Sequence, residues 1–338
     1  MESALTMIPS CRSASSSARR DLPLAVGPAI RIACFSAISD RHIMFVATLI
    51  AAPTGAGLPA HALLDIAREL GVRPETAAWL DPEFAADIGF ETAPSPERRR
   101  AVAEIAAAGH FDCVVQQRAG RRKRILIADM DSTMIGEECI DELAAEVGIK
   151  DRVAAITARA MNGEIEFEPA LRERVALLAG LPEAVVDKVI AERITLAPGG
   201  AALVATMRAN GAYTALVSGG FTVFTGPIAA RLGFHENRAN RLFCEAGQLT
   251  GHVEEPILGA RAKVMALEEI AARHDIGTDQ AIAVGDGAND LGMIERAGTG
   301  IALHAKPAVA AQAPHRVDHG DLTALLFVQG YRRDLFRQ

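Results

Sequence analysis

The stretch Ile125-Leu126-Ile127-Ala128-Asp129-Met130-Asp131-Ser132-Thr133 decides how this chain is read. Four apolar residues in a row, without polar alternation, mark a short parallel strand buried on both faces. The run ends on two carboxylates at i and i+2. Charge packed behind a buried strand is costly unless it is paired or holds a metal. A helix cap would account for either Asp alone, but the pair calls for chemistry. An Asp can attack phosphorus, and a second one two residues on can pass a proton to the leaving oxygen.

Working outward, Thr214-Ala215-Leu216-Val217 and Ala281-Ile282-Ala283-Val284 have the same texture, and each runs into a polar cluster. Ligands of open parallel sheets collect at the carboxyl ends of the strands, so the three clusters are expected to converge on one crevice. The second cluster, Ser218-Gly219-Gly220, offers a hydroxyl and bare backbone amides to an oxyanion, although an ordinary turn has the same composition. The third, Gly285-Asp286-Gly287-Ala288-Asn289-Asp290, is not a dinucleotide fingerprint, because Asp290 stands where GxGxxG has its last glycine. Its oxygen-bearing side chains suit Mg²⁺, with an Asx turn as the plain alternative. Lys263 opens a helical pattern that runs through Ala271; it is either a solvated residue or the cation of a phosphate site. The chain has no GxxxxGK[ST], which excludes a P-loop kinase.

Taken in order, DMDST, SGG, Lys263 and GDGAND resemble the four motifs of the haloacid dehalogenase-like phosphatases over roughly 125–330. Glu137-Glu138-Cys139-Ile140-Asp141-Glu142, Phe167 to Val175 and Val217 to Phe221 further resemble the phosphoserine phosphatase branch. The resemblance implies hydrolysis of O-phosphoserine to serine and phosphate, the last step of serine biosynthesis. Another small phosphorylated amine or alcohol is the alternative substrate. Asp129 would be the nucleophile and Asp131 the general acid and base. Mg²⁺ would be held by Asp129, Asp286 and the Asp131 backbone, with Asn289 and Asp290 in support. Ser218, Gly219 and Lys263 would grip the phosphoryl group. Glu138 would face the substrate ammonium and Arg174 its carboxylate, with Met161 and Phe167 as the apolar wall. The sequence Arg241 to Leu249 is expected as a hairpin flap beside the site.

The fold expected from these readings is α/β: a Rossmann-like doubly wound parallel sheet over 125–338, with a helical cap at 136–195. A small α/β domain at 44–117, resembling a degenerate ACT or ferredoxin-like module, precedes it. Its elements are a strand at 45–50, a helix from His61 to Leu70, a weak segment at 85–90, a helix from Pro96 to Ala108 and a strand at 113–116. The basic run 118–124 is expected as a solvated linker. Residues 1–43, rich in Ser and Arg, are expected to be an unfolded or non-native extension.

Composition limits the partners. Of 338 residues, 35 are Lys or Arg and 42 Asp or Glu, and the net charge of -7 argues against a nucleic-acid coat and for a small-molecule substrate. Five scattered cysteines without a CxxC pair fit a reducing cytoplasm. No apolar run is long enough for a membrane span. A homodimer is left open.

Overall fold

The computed structural model describes residues 43–59, 61–161 and 164–338; the extension expected at 1–43 lies, but for its last residue, outside the described residues. The N-terminal unit runs β1 (Phe45–Ala51), α1 (Ala62–Leu70), β2 (Ala77–Asp81), β3 (Ala85–Phe90), α2 (Pro96–Ala108) and β4 (Phe111–Gln117). Its strands form one antiparallel sheet in the order β2-β3-β1-β4, the split βαβ arrangement of ferredoxin-like modules. Helix α1 turns Ala62, Leu63, Ile66, Ala67 and Leu70 onto the sheet and stops at Gly71, whose φ of 71° suits a residue without a Cβ. Helix α2 starts where Ser95 accepts a bond from the Arg98 amide. Strand β2 was not expected. Its Ala77-Ala78 start has little strand propensity, and pairing with β3 supplies what the local sequence lacks.

The second unit carries β5 (Ile125–Ala128), the helices α3 (Cys139–Glu146), α4 (Lys150–Met161), α5 (Phe167–Ala176) and α6 (Val185–Glu192), then α7 (Gly200–Ala209), β6 (Tyr213–Phe221), α8 (Thr222–Leu232) and β7 (Glu236–Asn240). A hairpin of β8 (Leu242–Glu245) and β9 (Gln248–Val253) follows, then α9 (Ala260–Arg273), β10 (Ala281–Gly285), α10 (Leu291–Arg296), β11 (Thr299–Leu303) and β12 (His315–Val317). Six strands pair in parallel in the order β12-β11-β10-β5-β6-β7. Ile125, Leu126 and Ile127 have no exposed surface; burial of such side chains contributes about 1.5–3 kcal/mol each. Strand β5 is central, flanked by β10 and β6, so the chain leaves it in opposite directions and a crevice opens at its carboxyl end.

Helices α3 to α6 form the cap. It enters and leaves by a two-stranded neck: Gly136 N donates to Thr195 O at 3.0 Å and Ala197 N to Met134 O at 2.9 Å. Glu137 bonds the Thr195 amide and hydroxyl at 2.9 and 2.6 Å.

One expectation is corrected. The basic run 118–124 is docked rather than solvated: Arg121 pairs with Asp87 at 2.7 Å, Arg122 lies over the Tyr331 ring, and Lys123 donates its backbone amide to Gln329 and its ammonium to Asp279 O. The reason is that these residues find fixed partners on both units: Asp87 on one, Tyr331, Gln329 and Asp279 on the other. Ser218-Gly219-Gly220, for which a plain turn was the alternative reading, is the end of β6, where Asn240 Nδ2 donates to Gly219 O at 2.8 Å. The hairpin expected over Arg241 to Leu249 forms and is tied to the cap, through Gly180 N to Leu249 O and Glu183 N to Gly247 O at 2.8 and 2.9 Å.

The two units are joined through Asp112 of β4, whose carboxylate accepts the amides of Asp318, His319 and Gly320, the shortest at 2.6 Å. Gln116 adds a bond to Val328 O. Among the described residues no helix is long and apolar enough to cross a membrane.

Candidate active site

The carboxyl ends of β5, β6 and β10 and the inner faces of α4 and α5 enclose a cavity of about 240 Å³. Asp129, Asp131, Ser218, Gly219 and Asn289 line its floor, and Glu138, Phe167, Thr157 and Arg174 its walls. Residues from all three strand ends therefore converge, as the parallel-sheet argument requires.

At the floor, Lys263 from the first turn of α9 is wholly buried, with Nζ 2.7 Å from Asp129 Oδ1 and 2.6 Å from Asp290 Oδ1. Burial pulls its pKa down, but Asp129 and Asp290 outweigh this and hold it above the ordinary lysine value. Asp290 is fixed in turn by the Gly287 amide at 3.0 Å. It packs so closely on Gly285 that a Cβ there would lie 2.3 Å from its Cγ, which is why a glycine ends β10. Thr133 donates to Asp286 Oδ1 at 3.2 Å.

Asp129, Asp286 and Asp290 each offer an oxygen within 4.8 Å of the others, and all three are buried. One ammonium faces three carboxyls. Asp286 is pushed up to about 8 by burial and then by the charges of Asp290 and Asp129. Asp290 is pushed up to about 6 by burial and then by Asp129. Beyond its ion pair with Lys263, Asp129 Oδ1 receives no hydrogen bond from the described residues. Surplus negative charge and hard oxygen donors fit a divalent cation.

Asp131 points elsewhere. Its Oδ1 accepts the Cys139 amide at 3.0 Å and its Oδ2 the Ser218 hydroxyl at 3.4 Å. Burial, then the charge of Asp129, raises it to about 6, a value suited to giving and taking a proton near neutrality. Gly220 N donates to Ser218 Oγ at 2.9 Å, which fixes the hydroxyl.

On the wall, Glu138 accepts from Ser132 Oγ at 2.7 Å, and burial followed by Asp131 holds it well above the usual carboxylate range. Arg174 is 5% exposed, bonded through Nε to Ala170 O at 3.1 Å and through Nη1 to Thr157 Oγ1 at 3.0 Å; burial lowers its pKa. The Phe167 ring lies over Gly219, where a Cβ would come within 2.8 Å of Cζ. Met161 closes α4, but its side chain lies outside what is described. Thr157 and Asn240 were not legible as site residues; a lone Thr or Asn carries no spacing signal.

A family profile described as haloacid dehalogenase-like hydrolase matches residues 126–295. The chain is 42% identical over 248 residues to a phosphoserine phosphatase of Archaeoglobus fulgidus, a match covering 73% of this chain and 71% of that one. A solved HAD family hydrolase from Salmonella enterica superposes with a TM-score of 0.74 at 32% identity, covering 84% of this chain and 98% of the other. A structure titled as the phospho-aspartyl intermediate analogue of phosphoserine phosphatase gives 0.59 at 40% identity, covering 61% of this chain and 98% of the other.

Proposed function

Because the chain belongs to the haloacid dehalogenase-like hydrolases, and within them to the phosphoserine phosphatases, we propose that it splits O-phosphoserine into serine and phosphate through an aspartyl-phosphate on Asp129. The observation that carries this reading is one cavity with phosphoryl-transfer groups on its floor and a carboxyl and a guanidinium, Glu138 and Arg174, on its wall. That pairing matches the ammonium and carboxylate of an amino acid.

In this reading Asp129 attacks phosphorus while Asp131 protonates the serine oxygen. Asp131 then takes a proton from the water that cleaves the acyl phosphate. Ser218, the Gly219 backbone, Lys263 and Asn289 hold the phosphoryl oxygens in line, and Phe167 keeps bulk water out. Asp129, Asp286 and the Asp131 backbone, supported by Asp290, would hold Mg²⁺, whose charge would offset that developing on the phosphoryl oxygens. The ammonium of the substrate would favour the charged form of Glu138, reversing the effect of burial. The setting we propose is a reducing cytoplasm, in keeping with free Cys113, Cys139 and Cys244.

Phosphate release from phosphoserine, phosphothreonine and phosphoethanolamine tests the substrate, and the first is expected to have the highest kcat/KM. Arg174→Ala should raise KM for phosphoserine by about 10- to 100-fold, the size of a lost charged hydrogen bond. An unchanged KM would remove Arg174 from the carboxylate role.

Chelation should stop phosphate release, and added Mg²⁺ should restore it. Without metal, pH also acts on stability. Asp286 keeps its proton in the folded state up to about 8, whereas an unfolded Asp releases it near about 3.9. Between those values the folded form binds the extra proton, so the stability this contributes is present below the window and lost as pH rises through it. Thermal unfolding in chelator should therefore give a lower midpoint at pH 8 than at pH 5; the opposite order would contradict the assignment.

A further inference from the structure

Asp141 is a carboxylate deep in the cap that the reaction does not use. It sits in α3, about nine-tenths buried, and its Oδ1 accepts from the hydroxyl of Thr157 in α4 at 2.8 Å. The same hydroxyl oxygen accepts from Arg174 Nη1 in α5 at 3.0 Å. Val153 O, at 3.1 Å, competes for the hydroxyl proton. A carboxylate is the stronger acceptor, and the chain Arg174 to Thr157 to Asp141 then has one direction. Thr157 lines the cavity and Asp141 stands behind it.

This order has a chemical consequence. Were Asp141 bonded to the guanidinium directly, its two oxygens would take up the fork that a substrate carboxylate needs. With a hydroxyl between them, Asp141 supplies counter-charge and direction, while Nη2, which no described residue engages, stays available to the cavity. Three cap helices each give one member, so the rotamer of Arg174 is set before substrate arrives.

We propose that Thr157, backed by Asp141, is a positioning residue that holds the Arg174 fork for a carboxylate and thereby sets the preference for amino-acid phosphates over their decarboxylated analogues. The proposal rests on the reading of Arg174 as the carboxylate-binding group.

The test is steady-state kinetics of the full chain with O-phosphoserine and with phosphoethanolamine, which lacks the carboxylate; the latter is read as a Ki against phosphoserine if its turnover is too slow. Thr157→Val keeps the branched shape and removes the hydroxyl. It should raise KM for phosphoserine about tenfold or more with little change in kcat, leave the phosphoethanolamine constant where it was, and be rescued by Thr157→Ser. Thr157→Ala, a second hydroxyl-free variant, should show the same selective loss if the valine variant does not fold. Equal effects on both compounds would show a packing role, and no effect on either would show that the hydroxyl is idle; each overturns the proposal while leaving the substrate assignment intact. A wild-type protein that treats the two compounds alike would instead refute the carboxylate reading, and the proposal with it.

Discussion

Asp129→Asn is expected to lower phosphate release from phosphoserine by about 10⁴-fold or more, the loss typical of removing a covalent nucleophile. The fold should survive, because the substitution is isosteric and takes one charge from a group of three buried carboxyls facing a single ammonium. Lys263 keeps Asp290 at 2.6 Å as its partner. The amide cannot form an acyl phosphate, whatever else in the cavity stays in place. Single-turnover phosphate release with circular dichroism on the same sample checks both halves. A residual rate above about one hundredth of wild type would put the nucleophile elsewhere.

Lys263→Ala should act on stability and rate together. The side chain is wholly buried and neutralises Asp129 and Asp290. Removing one partner of such a group costs about 3–5 kcal/mol, because the remaining charges are left uncompensated in a dry site. The unfolding midpoint should fall, and kcat should drop by about 10²-fold or more as a phosphoryl oxygen loses its cation. Denaturant unfolding and phosphate release measure the two effects. A variant as stable as wild type would mean that the ammonium is not the counter-ion the geometry makes it.

Much of this site can be read along the chain because its chemistry is written at strand ends. Ile125 to Ala128 has a texture that only a doubly covered parallel strand explains, and the carboxylates behind it have no structural purpose there. The cap helices are legible from apolar periodicity, but their inward residues are not. Glu138 and Arg174 would pass for surface charges, and only the likeness to a family sets them apart. Thr157 and Asn240 remained invisible because each acts by holding another group at a distance set by tertiary contact, with no local pattern to record it. Strand β2 escaped for a related reason: its start is alanine, and the neighbouring strand makes it one. The basic linker was misread because charge on a sequence says nothing about partners more than 150 residues away, such as Asp279 and Gln329.

Asp112 has a bearing on how the gene for this protein can be cut. Its carboxylate takes the amides of Asp318, His319 and Gly320, and the loop they form continues to Leu322, whose own amide donates to Pro198 at the foot of the cap. A phosphatase fragment started at residue 125 would leave those three amides to water and free the loop that leads to Leu322. The two halves are thus a poor choice for modular exchange: a graft of another N-terminal module would have to bring an acid to the same spot to hold the 318–320 loop.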